Sequence, residues 1–325
     1  MKKFFSLMLT VVLCFSLAAC SGIGGNKNSK NEKLVIGFAQ IGQESGWRDA
    51  ETNDIQWYAA RHTDTIELHF ADAEQKQENQ IKAIHGFIDR GVDVIAFAPV
   101  IETGWEEILT ECKKAGIPVI LVDRGIDAGI DDSLYTTMIA SDHVWAGEQA
   151  ATVMKDLLGG SGAVVELQGT IGASATIQRE KGFDDYMAAN CPGIEIIARQ
   201  SGDFTRDQGR AVMASLLETN DHIDGVFCHN DDMALGAIEA IEEAGLKPGV
   251  DIKIVSVDGV KSAFEAVLAG KLNCTVECTP LLAKQIFETA AALKAGETVD
   301  KWIVSADDIY TADKITQEII NNRTY

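Results

Sequence analysis

The stretch Gly225-Val226-Phe227-Cys228-His229-Asn230-Asp231-Asp232-Met233 passes from a short apolar run into four polar residues. It then opens a helical pattern in which Met233, Ala237 and Ile241 share one face. A run of this length with no polar alternation, followed by a period near 3.6, predicts a strand buried on both faces that feeds a helix. The same unit recurs along the chain. Candidate strands at 34–39, 66–71, 92–98, 118–122 and 135–140 form a first set, and those at 163–167, 194–198, 225–228, 252–257 and 274–276 form a second. Helical spacing separates them, as at Ile81, Ile84 and Ile88 within 74–90 and again over 230–244. Val- and Ile-rich strands alternating with helices predict parallel sheets covered on both sides. Two sets predict two doubly wound, Rossmann-like α/β lobes. They join near 139–142, where a helix starts at about His143 and no Pro/Gly/Ser-rich linker intervenes. The tail adds a helix over 281–295 and strand-like pieces at 302–304 and 308–310.

Composition agrees with a large folded protein. The chain has 325 residues, 46% of them apolar, which is enough apolar area to exclude intrinsic disorder. With 28 Lys and Arg against 49 Asp and Glu, the formal net charge is −21, which argues against nucleic acid as a partner.

The amino terminus is a separate kind of sequence. Lys2 and Lys3 precede an almost wholly apolar run over 4–17, and Leu17-Ala18-Ala19 leads into Cys20. The run is about 14 residues, short of the ~20 a spanning helix needs, so it reads as a signal segment of 1–19. It resembles a bacterial lipobox, which implies cleavage before Cys20 and lipidation of that residue. Residues 20–33 would then be the anchor and a solvated tether of roughly 20 Å reach. The remaining cysteines, Cys112, Cys191, Cys228, Cys274 and Cys278, are scattered and odd in number, so buried thiols are expected rather than a disulfide framework or a metal site.

Ligands of open α/β sheets bind beyond the carboxyl ends of the strands. Polar groups stand at several such ends: Asp123-Arg124, His229-Asn230-Asp231-Asp232, Asp258-Gly259, and Glu44-Ser45-Gly46-Trp47-Arg48 opening the first helix. Sugar hydroxyls both donate and accept, and carboxylates, amides and guanidiniums at fixed positions satisfy both functions. Trp47 and Phe204 offer flat apolar partners for sugar C–H faces. Asn230 and Asp258 fit equally as helix N-caps, and Arg179 as a charge on a solvated helix face. Enzymatic constellations are sparse. Gly159-Gly160-Ser161-Gly162-Ala163 lacks the last glycine of GxSxG, no HExxH or GxxxxGK[ST] occurs, and six histidines show no ligand spacing. No catalytic residue, metal or cofactor is expected.

Six stretches carry a resemblance: Gln43 to Arg48, Gln75 to Gln80, Leu121 to Arg124, Val165 to Thr170, Gln200 to Arg206 and His229 to Met233. On these the chain resembles the periplasmic ribose-type sugar-binding proteins of ABC transporters, and within them the bacterial galactofuranose-binding branch. The resemblance implies a periplasmic binding protein type I fold with three hinge crossovers near Ala140, Cys278 and Asp307. The amino-terminal lobe would hold 34–140 with 279–307, and the carboxy-terminal lobe 141–278 with 308–325. It further implies that Glu44, Ser45, Gly46, Trp47, Arg48, Asp123 and Arg124 meet the sugar from one lobe. Arg179, Asn230 and Asp258 would meet it from the other, with Phe204 stacking. Ribose binders place a sugar-contacting glutamine near the stretch Thr275 to Pro280, where this chain has Glu277 and Cys278, so their roles are open. The expected protein is a lipid-anchored monomer at the outer face of the cytoplasmic membrane that passes a monosaccharide, galactofuranose first, to an ABC permease and its ATPase. A carbohydrate-active enzyme using Asp123, Asp231 or Asp258 is the rival reading, and a sugar-sensing receptor of the same fold is a third.

Overall fold

A computed structural model describes residues 33–127 and 129–325. The signal segment, Cys20 and most of the tether lie outside the described residues.

Two six-stranded sheets organise the chain. The first runs, in spatial order, β11 (Trp302–Val304), β5 (Thr137–Ala140), β4 (Val119–Val122), β3 (Val94–Phe97), β1 (Leu34–Gln40) and β2 (Ile66–Asp72), all parallel. The second runs β12 (Ile309–Thr311), β10 (Cys274–Glu277), β9 (Lys253–Asp258), β8 (Gly225–Cys228), β6 (Ser161–Gln168) and β7 (Gly193–Ser201); only β12 is antiparallel.

Period-two alternation explains why these strands read as unbroken apolar runs. Ile36, Phe38, Val94, Ala96, Ile120 and Val122 face one side of the first sheet, against Ile55 and Ala59 of α1 (Gly46–Arg61) and Ile286 and Phe287 of α9 (Ala283–Lys294). Ile95, Phe97, Val119 and Leu121 face the other side, against α2 (Gln77–Arg90) and α3 (Glu106–Ala115). Both faces are covered, so no position of a central strand has a solvated side. One larger apolar cluster surrounds the second sheet, shared by α4 (His143–Leu158), α5 (Ser174–Asn190), α6 (Arg206–Thr219), α7 (Asp231–Glu243) and α8 (Lys261–Leu268).

The chain passes between the sheets three times: after β5, after β10, and between β11 and β12. Differences from the sequence expectation are local. The second helix starts at Gln77, not Glu74, because Glu74 and Gln75 adopt left-handed backbone with φ of 53° and 60°. A short helix α10 (Gln317–Asn322), too brief for periodicity to show, packs Ile320 into the second lobe. All five described cysteines are free and buried.

Candidate functional site

The carboxyl ends of both sheets face one another, and the loops there line a narrow cleft. From the first lobe it is lined by Glu44, Ser45, Trp47, Arg48, Asp123 and Arg124; from the second by Ala175, Arg179, Phe204, Asn230 and Asp258. Every residue expected from the sequence lies on this lining except Gly46, and Ala175 is an addition.

Local folding explains how each group arrives. Ser45 ends the β1–α1 loop as an N-cap, its hydroxyl accepting from the Arg48 N–H at 3.2 Å, which starts the helix so that Arg48 points inward. Arg48 then spends its guanidinium on three carboxylates: Asp123 (Nη2 to Oδ2, 2.5 Å), Glu44 (3.2 Å) and Glu51. Arg124 reaches Glu44 at 2.6 Å, and Gln40 donates to Glu51 at 2.9 Å. Burial alone raises the Asp123 carboxyl, but the guanidiniums of Arg48, first, and Arg124 outweigh it and hold the group below the usual range. Glu51 is different: burial exceeds the help from Arg48 and pushes it up.

In the second lobe, Arg179 donates to the His229 carbonyl and stands 3.6 Å from Asp258. Burial dominates Asp258 and raises it well above an ordinary aspartate, with Arg179 opposing. Asn230 is the N-cap of α7, its Oδ1 accepting from Met233 N–H at 3.0 Å, while its Nδ2 donates to the Phe204 carbonyl at 2.9 Å. Both readings of Asn230 therefore hold together: it caps, and it lines the cleft. The Phe204 ring lies between two guanidiniums from different lobes, Arg124 at 5.0 Å and Arg179 at 5.9 Å.

Several residues support the lining without reaching it. His143 donates through Nε2 to the Asp123 carbonyl at 2.9 Å; because a carbonyl only accepts, the proton is on Nε2 and the buried Nδ1 keeps its lone pair without a partner among the described residues. Burial, helped by Arg179, lowers its pKa to about 4. Fully buried His229 meets Glu166 at 2.7 Å, which is held in turn by Arg199 at 2.6 Å. None of these histidines has a spacing signature, because their partners come from other strands. Gly46 is not part of the cleft lining and donates its N–H to Asp232 of the other lobe at 3.0 Å. The Trp47 indole donates to the Cys278 carbonyl at 2.5 Å, which fixes the ring. Glu277 is turned away toward Arg323 (2.6 Å) and Tyr325 (2.9 Å).

The lining sets three carboxylates, Glu44, Asp123 and Asp258, against three guanidiniums, Arg48, Arg124 and Arg179. Buried Arg124 Nε and Arg179 Nε have no hydrogen-bond acceptor among the described residues. Such a cleft offers donors and acceptors at close range, with equal numbers of formally charged carboxylates and guanidiniums on its lining, which suits a neutral, hydroxyl-rich molecule. Among the described residues no group of His, Cys, Asp or Glu is arranged to hold a metal.

Two α/β lobes joined by three crossovers, with a polar cleft between their strand ends, define a type I periplasmic binding protein. The profile of the family described as periplasmic binding protein domain matches residues 36–298, and the chain belongs to that family. The galactofuranose-binding protein YtfQ of Escherichia coli strain K12 is 45% identical over 291 residues, covering 88% of this chain and 90% of that protein. A Mycobacterium smegmatis crystal structure in complex with β-D-fucofuranose superposes with a TM-score of 0.83 at 46% identity, covering 86% of this chain and 92% of the other. The periplasmic component of the arabinose ABC transporter of Shewanella sp. ANA-3, bound to α- and β-L-arabinofuranose, superposes with a TM-score of 0.82 at 46% identity, over 86% and 92%. The protein is thus a sugar-binding, substrate-binding protein of the ABC-transporter kind, exported like its family and not an enzyme.

Proposed function

We propose that this protein captures a monosaccharide in its furanose form, galactofuranose first, between its two lobes and delivers it to an ABC permease driven by an ATPase. The observation that carries the reading is the charge-balanced cleft, three carboxylates against three guanidiniums, closed on both sides by protein. A sugar acid or phosphate would upset that balance in a buried site, at a cost of several kcal/mol per unpaired charge. The relatives with furanose ligands in their names support the ring form.

In this reading Glu44, Ser45, Trp47, Arg48, Asp123 and Arg124 take the sugar from the lobe of 34–140 with 279–307. Arg179, Asn230 and Asp258 take it from the lobe of 141–278 with 308–325, and the Phe204 ring packs on it. Gly46 acts at the rim. The protein works as a monomer tethered at the outer face of the cytoplasmic membrane through lipid on Cys20.

Calorimetric titration against galactofuranose, arabinofuranose, fucofuranose, galactose and ribose tests the ligand. A furanose binds tightest on this reading, and no heat from any of the five overturns it. Mass spectrometry of the mature amino terminus tests the anchor: a diacylglyceryl mass on Cys20 is expected, and a free thiol there removes the lipoprotein assignment.

A further inference from the structure

Asp258 is the last residue of β9 and has a φ of 128°, a backbone region that costs an L-residue on the order of 1–3 kcal/mol and persists only where surrounding contacts enforce it. Four hydrogen bonds enforce it here. The Asp258 carbonyl accepts from Cys278 N–H at 3.1 Å, and Gly259 N–H donates to Thr275 Oγ1 at 3.0 Å. Val260 N–H donates to Asp231 Oδ2 at 2.8 Å. The fourth comes from outside the sheet: Arg323 Nε donates to the Gly259 carbonyl at 2.7 Å.

Arg323 has a second task at the same place. Glu277 pairs in register with Asp258 on the neighbouring strand, so its carboxylate would stand as another negative charge beside the cleft. Arg323 Nη1 takes that carboxylate at 2.6 Å, and Tyr325 OH donates to the same oxygen at 2.9 Å. The guanidinium is held between the rings of Phe264 at 4.5 Å and Tyr325 at 4.1 Å. A Cβ on Gly259 would sit 2.5 Å from Arg323 Nη2, so the arginine rests directly on the peptide that carries Asp258. A lysine could keep the charge but not hold the carbonyl and the carboxylate together from one rigid fork.

We propose that Arg323 is a positioning residue for sugar binding, which fixes the Asp258–Gly259 turn and draws the Glu277 carboxylate away from the cleft. The proposal rests on the reading of Asp258 as a sugar contact. It also gives Glu277 a role unlike that of a direct ligand residue: it anchors the arm of residues 323–325 that braces the site.

The test compares wild type, Arg323→Lys and Arg323→Ala in calorimetric titration with the furanose panel, each with a ligand-free melting curve. A merely structural role lowers the melting temperature and the fraction of active protein but leaves Kd unchanged in what remains folded. Positioning predicts that Arg323→Lys melts within a few degrees of wild type and binds about tenfold more weakly, the loss of one charge-assisted hydrogen bond. Arg323→Ala is weaker still, and adding Glu277→Gln to it recovers part of the affinity by removing the unpaired charge. Wild-type Kd in Arg323→Lys, or failure of that variant to fold, overturns the proposal. Absence of heat from wild type with every sugar instead overturns the proposed function.

Discussion

The carboxylate of Asp232, in the first turn of α7, accepts a hydrogen bond at 3.0 Å from the backbone N–H of Gly46, in the first turn of α1 on the opposite lobe. Two more bonds cross the rim: Gly125 N–H to Ser174 Oγ at 2.8 Å, and Glu102 N–H to the Gly172 carbonyl at 2.8 Å. None of these groups except the neighbours of the cleft is positioned to choose between sugars. On the proposed capture between two lobes, these bonds favour the arrangement in which both lobes meet the sugar, and a ligand that binds only that form has an apparent Kd divided by its populated fraction.

Asp232→Ala removes one of these bonds without touching the cavity lining. It weakens binding of every sugar by the same factor, about two- to tenfold for a net hydrogen bond of 0.5–1.5 kcal/mol. Titration against two different sugars checks this; a factor that differs between them shows that Asp232 acts on recognition rather than closure.

Asn230 has two separable duties. Asn230→Ala loses the α7 cap, about 1 kcal/mol of stability, together with the donor to the Phe204 carbonyl. Asn230→Asp keeps an accepting oxygen for Met233 N–H but cannot donate to Phe204. Urea unfolding therefore shows a lowered midpoint for both variants, the alanine through the lost cap and the aspartate through a buried carboxylate set against the Phe204 carbonyl, while titration shows weakened sugar binding in both. Normal affinity in Asn230→Asp would mean that the hold on Phe204 is irrelevant to the site.

Helices α4 and α5 touch backbone to backbone. A Cβ on Gly182 would lie 2.0 Å from the Val144 carbonyl oxygen, and one on Gly147 2.2 Å from that of Arg179. Gly182→Ala forces α5, and Arg179 with it, away from the cleft, at about 1–3 kcal/mol. Lower melting temperature and weaker sugar binding are expected together. Gly86→Ala in α2, where an added Cβ meets nothing within 4 Å, is the control and stabilises slightly.

Acid stability isolates His143. Its folded pKa of about 4 lies below the ordinary 6.5, so between these values the unfolded chain binds a proton that the folded protein refuses. Stability from this group is full above about pH 6.5 and falls as pH drops toward 4, by on the order of 3 kcal/mol. Asp231, which burial pushes up to about 6, has the opposite slope between 3.8 and 6, so wild type alone shows only a partial effect. The measurement is the difference between wild type and His143→Gln, whose amide still donates to Asp123. The variant loses less stability from pH 7 to 4.5; identical profiles would remove His143 from the acid response.

Fold and cleft differed in how far they could be read from the chain. Strands such as 119–122 and 225–228 were legible because burial on both faces leaves only one kind of residue at each position. Polar residues at their carboxyl ends marked the cleft for the same topological reason. Arg179 carried no such mark: a mid-helix arginine has the same local sequence whether it faces solvent or a buried aspartate. His143, His229 and Glu166 were invisible as supports because each meets a partner that only the sheet order brings near.

Residue periodicity by itself determined that this protein has two parallel α/β layers with polar strand ends, since hydrophobic burial acts on short repeats that a linear reading contains. Tertiary structure alone decided that Gly46 belongs to the rim, that Asn230 both caps and supports Phe204, and that Glu277 turns from the cleft to Arg323. Those outcomes depend on contacts between residues tens to hundreds of positions apart, where the balance of desolvation against a correctly placed partner is set in three dimensions.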